Sequence, residues 1–171
     1  MELKADLPYP SLDGIGEDCR TLRIVSPAYA GRDGELTATL QYVYQSIYLD
    51  ACGEGETAKL LLSIGITEMH HIQILGSLIT RLGAPPVFTA CPPYPVGFYS
   101  ASCVNYTRSL ETMLLSDLAK EREAIACYRK MLSLLQSPRV EAVIARIILD
   151  EEVHVQALEA EYKKKFNRTP S

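Results

Sequence analysis

The 171-residue sequence predicts an all-α fold: a four-helix bundle with one long crossover between its second and third helices. Three observations predict it. Four segments carry apolar residues at helical spacing. Two of them, around Glu68 and around Glu151, repeat one Glu-x-x-His pattern. Between the second and third segments, residues 84 to about 104 hold five prolines (Pro85, Pro86, Pro92, Pro93 and Pro95) and show no helical period.

The bulk composition bounds the answer. A chain of this length fits one domain and can bury a sizeable core. Apolar residues make up 47% and charged residues 22%, as in globular proteins. A net charge of −4 and the lack of a dense basic cluster argue against a nucleic-acid partner. Lys163-Lys164-Lys165 suits a helix C-terminus or a solvated face. Residues 1–6 lack the apolar core of a signal peptide, and no run approaches the ~20 apolar residues of a membrane span, so no membrane partner is expected. Five cysteines, an odd number without a Cys-x-x-Cys pair, read as free thiols in a reducing cytoplasm.

In chain order, residues 1–25 contain Pro8, Pro10, Gly14 and Gly16 and predict an N-terminal arm or irregular cap that docks through Tyr9 and Leu12. Residues 26–171 form the bundle. Ser26-Pro27 offers an N-cap and a proline at the first helical position, so helix one is expected from Ser26 to about Asp50, with a start near Arg32 as the alternative. Gly53 and Gly55 end it. Helix two is expected from Thr57 to Leu82, with Gly83 closing it. Helix three is expected from Asn105 to Leu135, and helix four from Pro138 to Phe166 after a short turn. Helices of about 26 to 30 residues are roughly 40 Å long. The proline-rich segment, extended at ~3.1 Å per residue, can run that whole length and start the third helix at the opposite end.

Glu68 and His71 in Ile66–Leu75, and Glu151 and His154 in Leu149–Leu158, each lie one helical turn apart on an otherwise apolar face. Such a face needs a partner for its charge, and a metal ion is the simplest. Where two helices of a bundle give Glu-x-x-His, the other two each give one glutamate. Depth along the helices selects Glu121 over Glu111, and Glu123 lies on another face; on helix one, Glu35 is at suitable depth. A second repeat supports both choices, because Tyr42 and Tyr128 each follow their glutamate by seven residues, or two turns. These tyrosines read equally as core residues whose hydroxyls need a partner.

The stretches Gly34-Glu35-Leu36-Thr37-Ala38-Thr39-Leu40-Gln41-Tyr42, Glu68-Met69-His70-His71, Ser116 to Ile125 and Asp150-Glu151-Glu152-Val153-His154 resemble the four helices of the ferritin-like superfamily, over about residues 26–166. Bacterioferritins, rubrerythrins and manganese-catalase-like spore-coat proteins are the nearest branches. The resemblance implies two iron or manganese ions. Glu68 and Glu151 would bridge them, Glu35 with His71 would bind one, and Glu121 with His154 the other. It also implies hydrogen bonds from Tyr42 and Tyr128 to the ligands, and an Asp150 that orients His71; a solvated aspartate is the alternative. Met69 stands where bacterioferritins place a haem-binding methionine, but packing is the expected role and haem is not expected. His70 is expected at the surface or at a dimer contact, and Cys52 and Cys127 in the core or at helix ends.

Such a site suits redox chemistry on hydrogen peroxide or dioxygen. It would act as a rubrerythrin-like peroxidase, a manganese catalase or a ferroxidase that stores iron. Without rubredoxin cysteine pairs, the peroxidase would need a separate electron-donor protein. The residues after His154 offer no fifth helix of the bacterioferritin kind, so a homodimer, burying the crossover side, or a higher homo-oligomer is expected in place of a cage. A non-catalytic, coat-like bundle stapled by metal is the alternative from another class.

Overall fold

Asp18 starts the first helix of the computed structural model, which describes residues 2–170. Its carboxylate accepts from the backbone N–H of Arg20 at 2.9 Å and of Thr21 at 3.2 Å, and α1 (Cys19–Ala30) follows. The chain then breaks at residues 31–34 and restarts as α2 (Glu35–Ala51). The single first helix expected from Ser26 is therefore two helices. Pro27 is not at a helix start but inside α1, and Gly31 and Gly34 turn the backbone. The turn is tight: a Cβ on Gly34 would lie 2.5 Å from the Ala28 carbonyl oxygen.

A short turn, with Gly53 at φ +84°, leads into α3 (Gly55–Arg81). Helix α4 (Leu110–Leu134) begins where Ser109 Oγ accepts from the Thr112 amide, five residues later than expected. The reason is Asn105. Its amide donates to Gln41 Oε1 at 3.0 Å and its side chain accepts from the Thr107 amide at 3.1 Å, a local turn that competes with the helix. Helix α5 (Pro138–Phe166) starts at a proline, which needs no N–H partner there, and ends at Asn167, which adopts the left-handed conformation.

The hairpins α2–α3 and α4–α5 are the closely packed pairs. Helices α1 and α2 share α3 between them. Leu22, Val25 and Tyr29 of α1 pack with Leu75, Leu78 and Ile79, whereas Tyr42 and Leu49 of α2 pack with Ala58, Leu61 and Ile64. Together they do the work of one bundle helix. Each end of the bundle holds an apolar cluster, and Glu35, Glu68, His71, Glu121, Glu151 and His154 lie in the buried polar layer between the clusters.

The crossover runs along the bundle as its length predicts. Tyr29 Oη reaches the Pro86 carbonyl at 2.9 Å, Thr37 Oγ1 meets Tyr99 Oη at 2.8 Å, and Tyr44 Oη reaches the Tyr106 carbonyl at 3.2 Å. The crossover is irregular apart from a 3-10 turn at Ala101–Cys103 and one bridge between Thr89 and Phe98. Among the described residues, no helix is long and apolar enough to cross a membrane.

Candidate metal centre

Each bundle helix brings one part of the centre. Helix α2 opens with Glu35, one turn of α3 presents Glu68 and His71, the middle of α4 presents Glu121, and one turn of α5 presents Glu151 and His154. All six side chains are buried. They form two groups, Glu35–Glu68–His71–Glu151 and Glu68–Glu121–Glu151–His154, in each of which one ligand atom per residue lies within 4.8 Å of all the others. Glu68 and Glu151 belong to both groups.

The imidazoles point their Nδ1 atoms inward. His71 Nδ1 is 3.0 Å from Glu68, 3.2 Å from Glu151 and 3.7 Å from Glu35. His154 Nδ1 is 3.0 Å from Glu68, 3.1 Å from Glu151 and 3.6 Å from Glu121. Glu68 Oε1 and Glu151 Oε1, although buried and close to these nitrogens, accept no hydrogen bond. Two buried, unsatisfied carboxylate oxygens between two ring nitrogens fit a pair of cations.

The protonation pattern follows from burial and charge. Burial, and then the like charges of Glu68 and Glu151, push Glu35 and Glu121 well above the usual carboxylate range. Burial alone would lower the two imidazoles and raise Glu68 and Glu151, but their mutual attraction outweighs it. His71 and His154 are raised, Glu68 is held well below its usual value, and Glu151 is also lowered. Without metal, burial and mutual charge thus favour the protonated forms of His71, His154, Glu35 and Glu121.

The tyrosines cross over. Tyr42 donates to Glu121 Oε1, and Tyr128 donates to Glu35 Oε1. Asp150 is not solvated: it accepts from His71 Nε2 at 3.2 Å, Arg146 at 2.6 Å, Tyr9 Oη at 2.6 Å and the Ala5 amide at 2.7 Å. These bonds outweigh its burial and hold its carboxyl well below the usual range.

The structure also shows residues that the sequence reading missed. The arm lies against α3 and α5: the Leu3 carbonyl sits 2.9 Å from His154 Nε2, and the Ala5 and Leu7 carbonyls accept from Arg146. Asp117, one turn before Glu121, is fully buried; Gln41 and Gln45 both donate to its Oδ1, at 2.7 and 2.9 Å, while Oδ2 has no partner. Burial raises it to about 7 against these two donors. An acidic residue on the glutamate face of helix three was the available signal for Asp117. Backbone contacts of the arm leave none.

The other singled-out residues lie outside the cluster. Met69 and Cys127 are exposed, Cys52 is exposed at the end of α2, and His70 lies at the surface 3.5 Å from Glu2. All five cysteines are free. A cleft of about 520 Å³ descends between the α1–α2 break and α4, past Ala38, Ala124 and Met131, to Glu35 and Glu121.

This architecture has known counterparts. Over 96% of the chain it superposes on 81% of a manganese catalase from Anabaena, KatB, with a TM-score of 0.80 at 20% identity. The fold is ferritin-like. A bacterioferritin from Mycobacterium tuberculosis, BfrA, matches with a TM-score of 0.71 at 23% identity, over 88% of this chain and 89% of that one. A dodecameric, bacterioferritin-related thioferritin from Bacteroides fragilis matches with a TM-score of 0.63 at 20% identity, over 89% and 94% of the two chains. The family model of manganese-containing catalases matches residues 18–88, which span α1 to α3 and so include Glu35, Glu68 and His71. No curated protein sequence matches the chain.

Proposed function

We propose that this ferritin-like bundle binds two iron or manganese ions and uses them for redox chemistry on hydrogen peroxide. The observation that carries the reading is the pair of overlapping donor groups, with two shared carboxylates whose free oxygens each lie beside one imidazole. Glu68 and Glu151 would bridge the ions, Glu35 and His71 would complete one end, and Glu121 and His154 the other. Four carboxylates balance the charge of two divalent cations, whose binding would release the protons held there.

Bound there, two redox-active ions supply a pair of one-electron changes matched to a peroxide O–O bond. The chain supplies the rest. Tyr42 and Tyr128 fix the orientation of Glu121 and Glu35. Asp150 and the Leu3 carbonyl hold the Nε2 atoms of the two imidazoles, which leaves both Nδ1 atoms directed inward, where they would serve as donors to the ions. The cleft gives a small oxidant a path to the carboxylates. Disproportionation of two peroxides to two waters and dioxygen needs no outside electrons; peroxide reduction needs a donor protein.

The chain is also proposed to form a homodimer or a larger homo-oligomer across the crossover side, where Tyr94, Val96 and Phe98 are exposed, Phe98 by 86%.

The test is metal content of the protein from its own host, followed by peroxide decay with and without a reductant. About two manganese per chain with oxygen release and no reductant identifies a catalase, and about two iron with reductant-dependent decay identifies a peroxidase. Oxidation of ferrous iron without peroxide turnover identifies a ferroxidase. A metal-loaded protein without any turnover, beside folded Glu68→Ala and Glu151→Ala variants, identifies a structural bundle. Absence of metal after reconstitution refutes the reading.

A further inference from the structure

Resting on the dinuclear reading, we infer that the two half-sites are inequivalent, because the chain backs one imidazole with a carboxylate and the other with a backbone carbonyl, and that an ion fills the His71 half first. The inner donors give no reason for such a preference. Each half has one terminal glutamate, one imidazole, a share of Glu68 and Glu151, and one tyrosine reaching across the bundle.

The outer supports differ. His71 Nε2 faces Asp150 Oδ2 at 3.2 Å. The cation of Arg146 engages the other oxygen, Oδ1, at 2.6 Å, together with the Ala5 amide, which leaves Oδ2 to His71 and Tyr9. Tyr9 donates to Oδ2 and stacks beneath Arg146, whose guanidinium lies 4.3 Å from the ring centre. His154 Nε2 faces the neutral carbonyl of Leu3 at 2.9 Å. That oxygen also accepts from Thr67 Oγ1 at 2.9 Å, as Asp150 Oδ2 accepts from Tyr9, so the two supports are shared alike and differ in charge. Thr67 holds the position in the first repeat that Asp150 holds in the second, so the repeat itself is broken at the residue that decides the backing.

A carboxylate behind a ligating imidazole makes its other nitrogen a better donor, and losing such a partner typically costs 10–100-fold in metal affinity. The arm takes part on both sides. Ala5 and Tyr9 hold Asp150 for His71, while Leu3, fixed by its amide on the Ser63 carbonyl at 3.2 Å, is itself the support of His154.

The experiment is a zinc titration of the metal-free chain labelled with 15N-histidine, followed by NMR of the ring nitrogens. Zinc is diamagnetic, and only His70, His71 and His154 contribute, with His70→Gln removing the exposed one. At one zinc per chain, an affinity difference of about 10–100-fold between two independent half-sites should leave His71 Nδ1 ligated about three- to tenfold more than His154 Nδ1. A variant lacking residues 2–4 should bind zinc more weakly at His154 alone, and Asp150→Asn should abolish the preference. Equal filling, or His154 first, overturns the inequivalence and leaves the metal reading standing. No response at either ring refutes both. If Asp150→Asn fails to fold, the filling order of the native chain and the truncated variant still decide.

Discussion

Tyr42 on α2 donates its hydroxyl to Glu121 on α4, not to Glu35, the carboxylate with which it shares a helix. Tyr128 returns the exchange by holding Glu35. Each hairpin thus fixes a carboxylate of the other. Tyr42→Phe should destabilise the metal-free protein by about 1–3 kcal/mol, the usual range for a buried hydrogen bond to an ionisable group. It should also weaken the ion beside His154, while Tyr128→Phe weakens the one beside His71. Calorimetric melting and metal titration of the two variants check this, and unchanged affinities in both would reduce the tyrosines to packing residues.

Metal binding should release protons. His71, His154, Glu35 and Glu121 are all displaced upward and hold protons that two divalent ions must replace. Affinity should therefore rise with pH, and titration calorimetry in buffers of different ionisation enthalpy should count up to about four protons per pair of ions. Stability of the metal-free chain should run the other way. Groups whose folded values are raised contribute fully below their ordinary values, 4.5 for the glutamates and 6.5 for the histidines, and lose that contribution as the pH rises through the folded values. Glu68 and Glu151, which are lowered, lose theirs as the pH falls below 4.5. Denaturant melts across this range should place the optimum of the metal-free chain at about pH 5.

Asp117 should impose a slope of its own. Its value rises from 3.8 to about 7, so the folded chain keeps a proton that the unfolded chain has released. That stabilisation is complete below pH 3.8 and is lost as the pH climbs through about 7. A displacement of roughly three units corresponds to at most ~4 kcal/mol. Asp117→Asn keeps an acceptor for Gln41 and Gln45 and should flatten the profile, matching the native chain at pH 4 and exceeding it at pH 8. An unaltered pH profile in the variant would show that Asp117 does not titrate in this interval.

The break before α2 should be intolerant of even a methyl group. A Cβ on Gly34 would meet the Ala28 carbonyl oxygen at 2.5 Å, and backbone cannot step aside as a flexible side chain can. Gly34→Ala should cost about 1–3 kcal/mol, the range for forced overpacking. Because Glu35 is the next residue, the variant should also lose affinity in the His71 half, whereas Gly53→Asn, at a position with open space and positive φ, should leave metal binding intact. Comparing the two by melting and zinc titration separates local strain from a general effect of replacing glycine.

The bundle and the six clustered residues were legible in the sequence because both depend on periodicity. Glu68 with His71, and Glu151 with His154, announce themselves as a repeat at one-turn spacing, and the long proline-rich segment announces the crossover. What escaped depended on geometry without a period. The true start of α1 rests on Asp18, an ordinary aspartate until its carboxylate is seen capping two amides. The division of helix one falls at Gly31 and Gly34, close to the alternative start near Arg32, but the helix that precedes it was not expected. That Tyr42 and Tyr128 would bond to clustered glutamates was expected, but which glutamate each reaches was not readable from spacing along one helix. The arm engages His154 through the carbonyl of Leu3, which every residue type possesses, so no side chain in the sequence points to it.

The arm and the cleft lie on different flanks of the same polar layer. Residues 3–9 seal the imidazole backs against α3 and α5, whereas the cleft opens the carboxylates toward α4 and the α1–α2 break. The centre therefore has one side closed by the arm and one side open to the cleft. On the proposed reading, oxidant and product water would share the cleft side, so whatever occupies that mouth would govern both kinds of traffic at once.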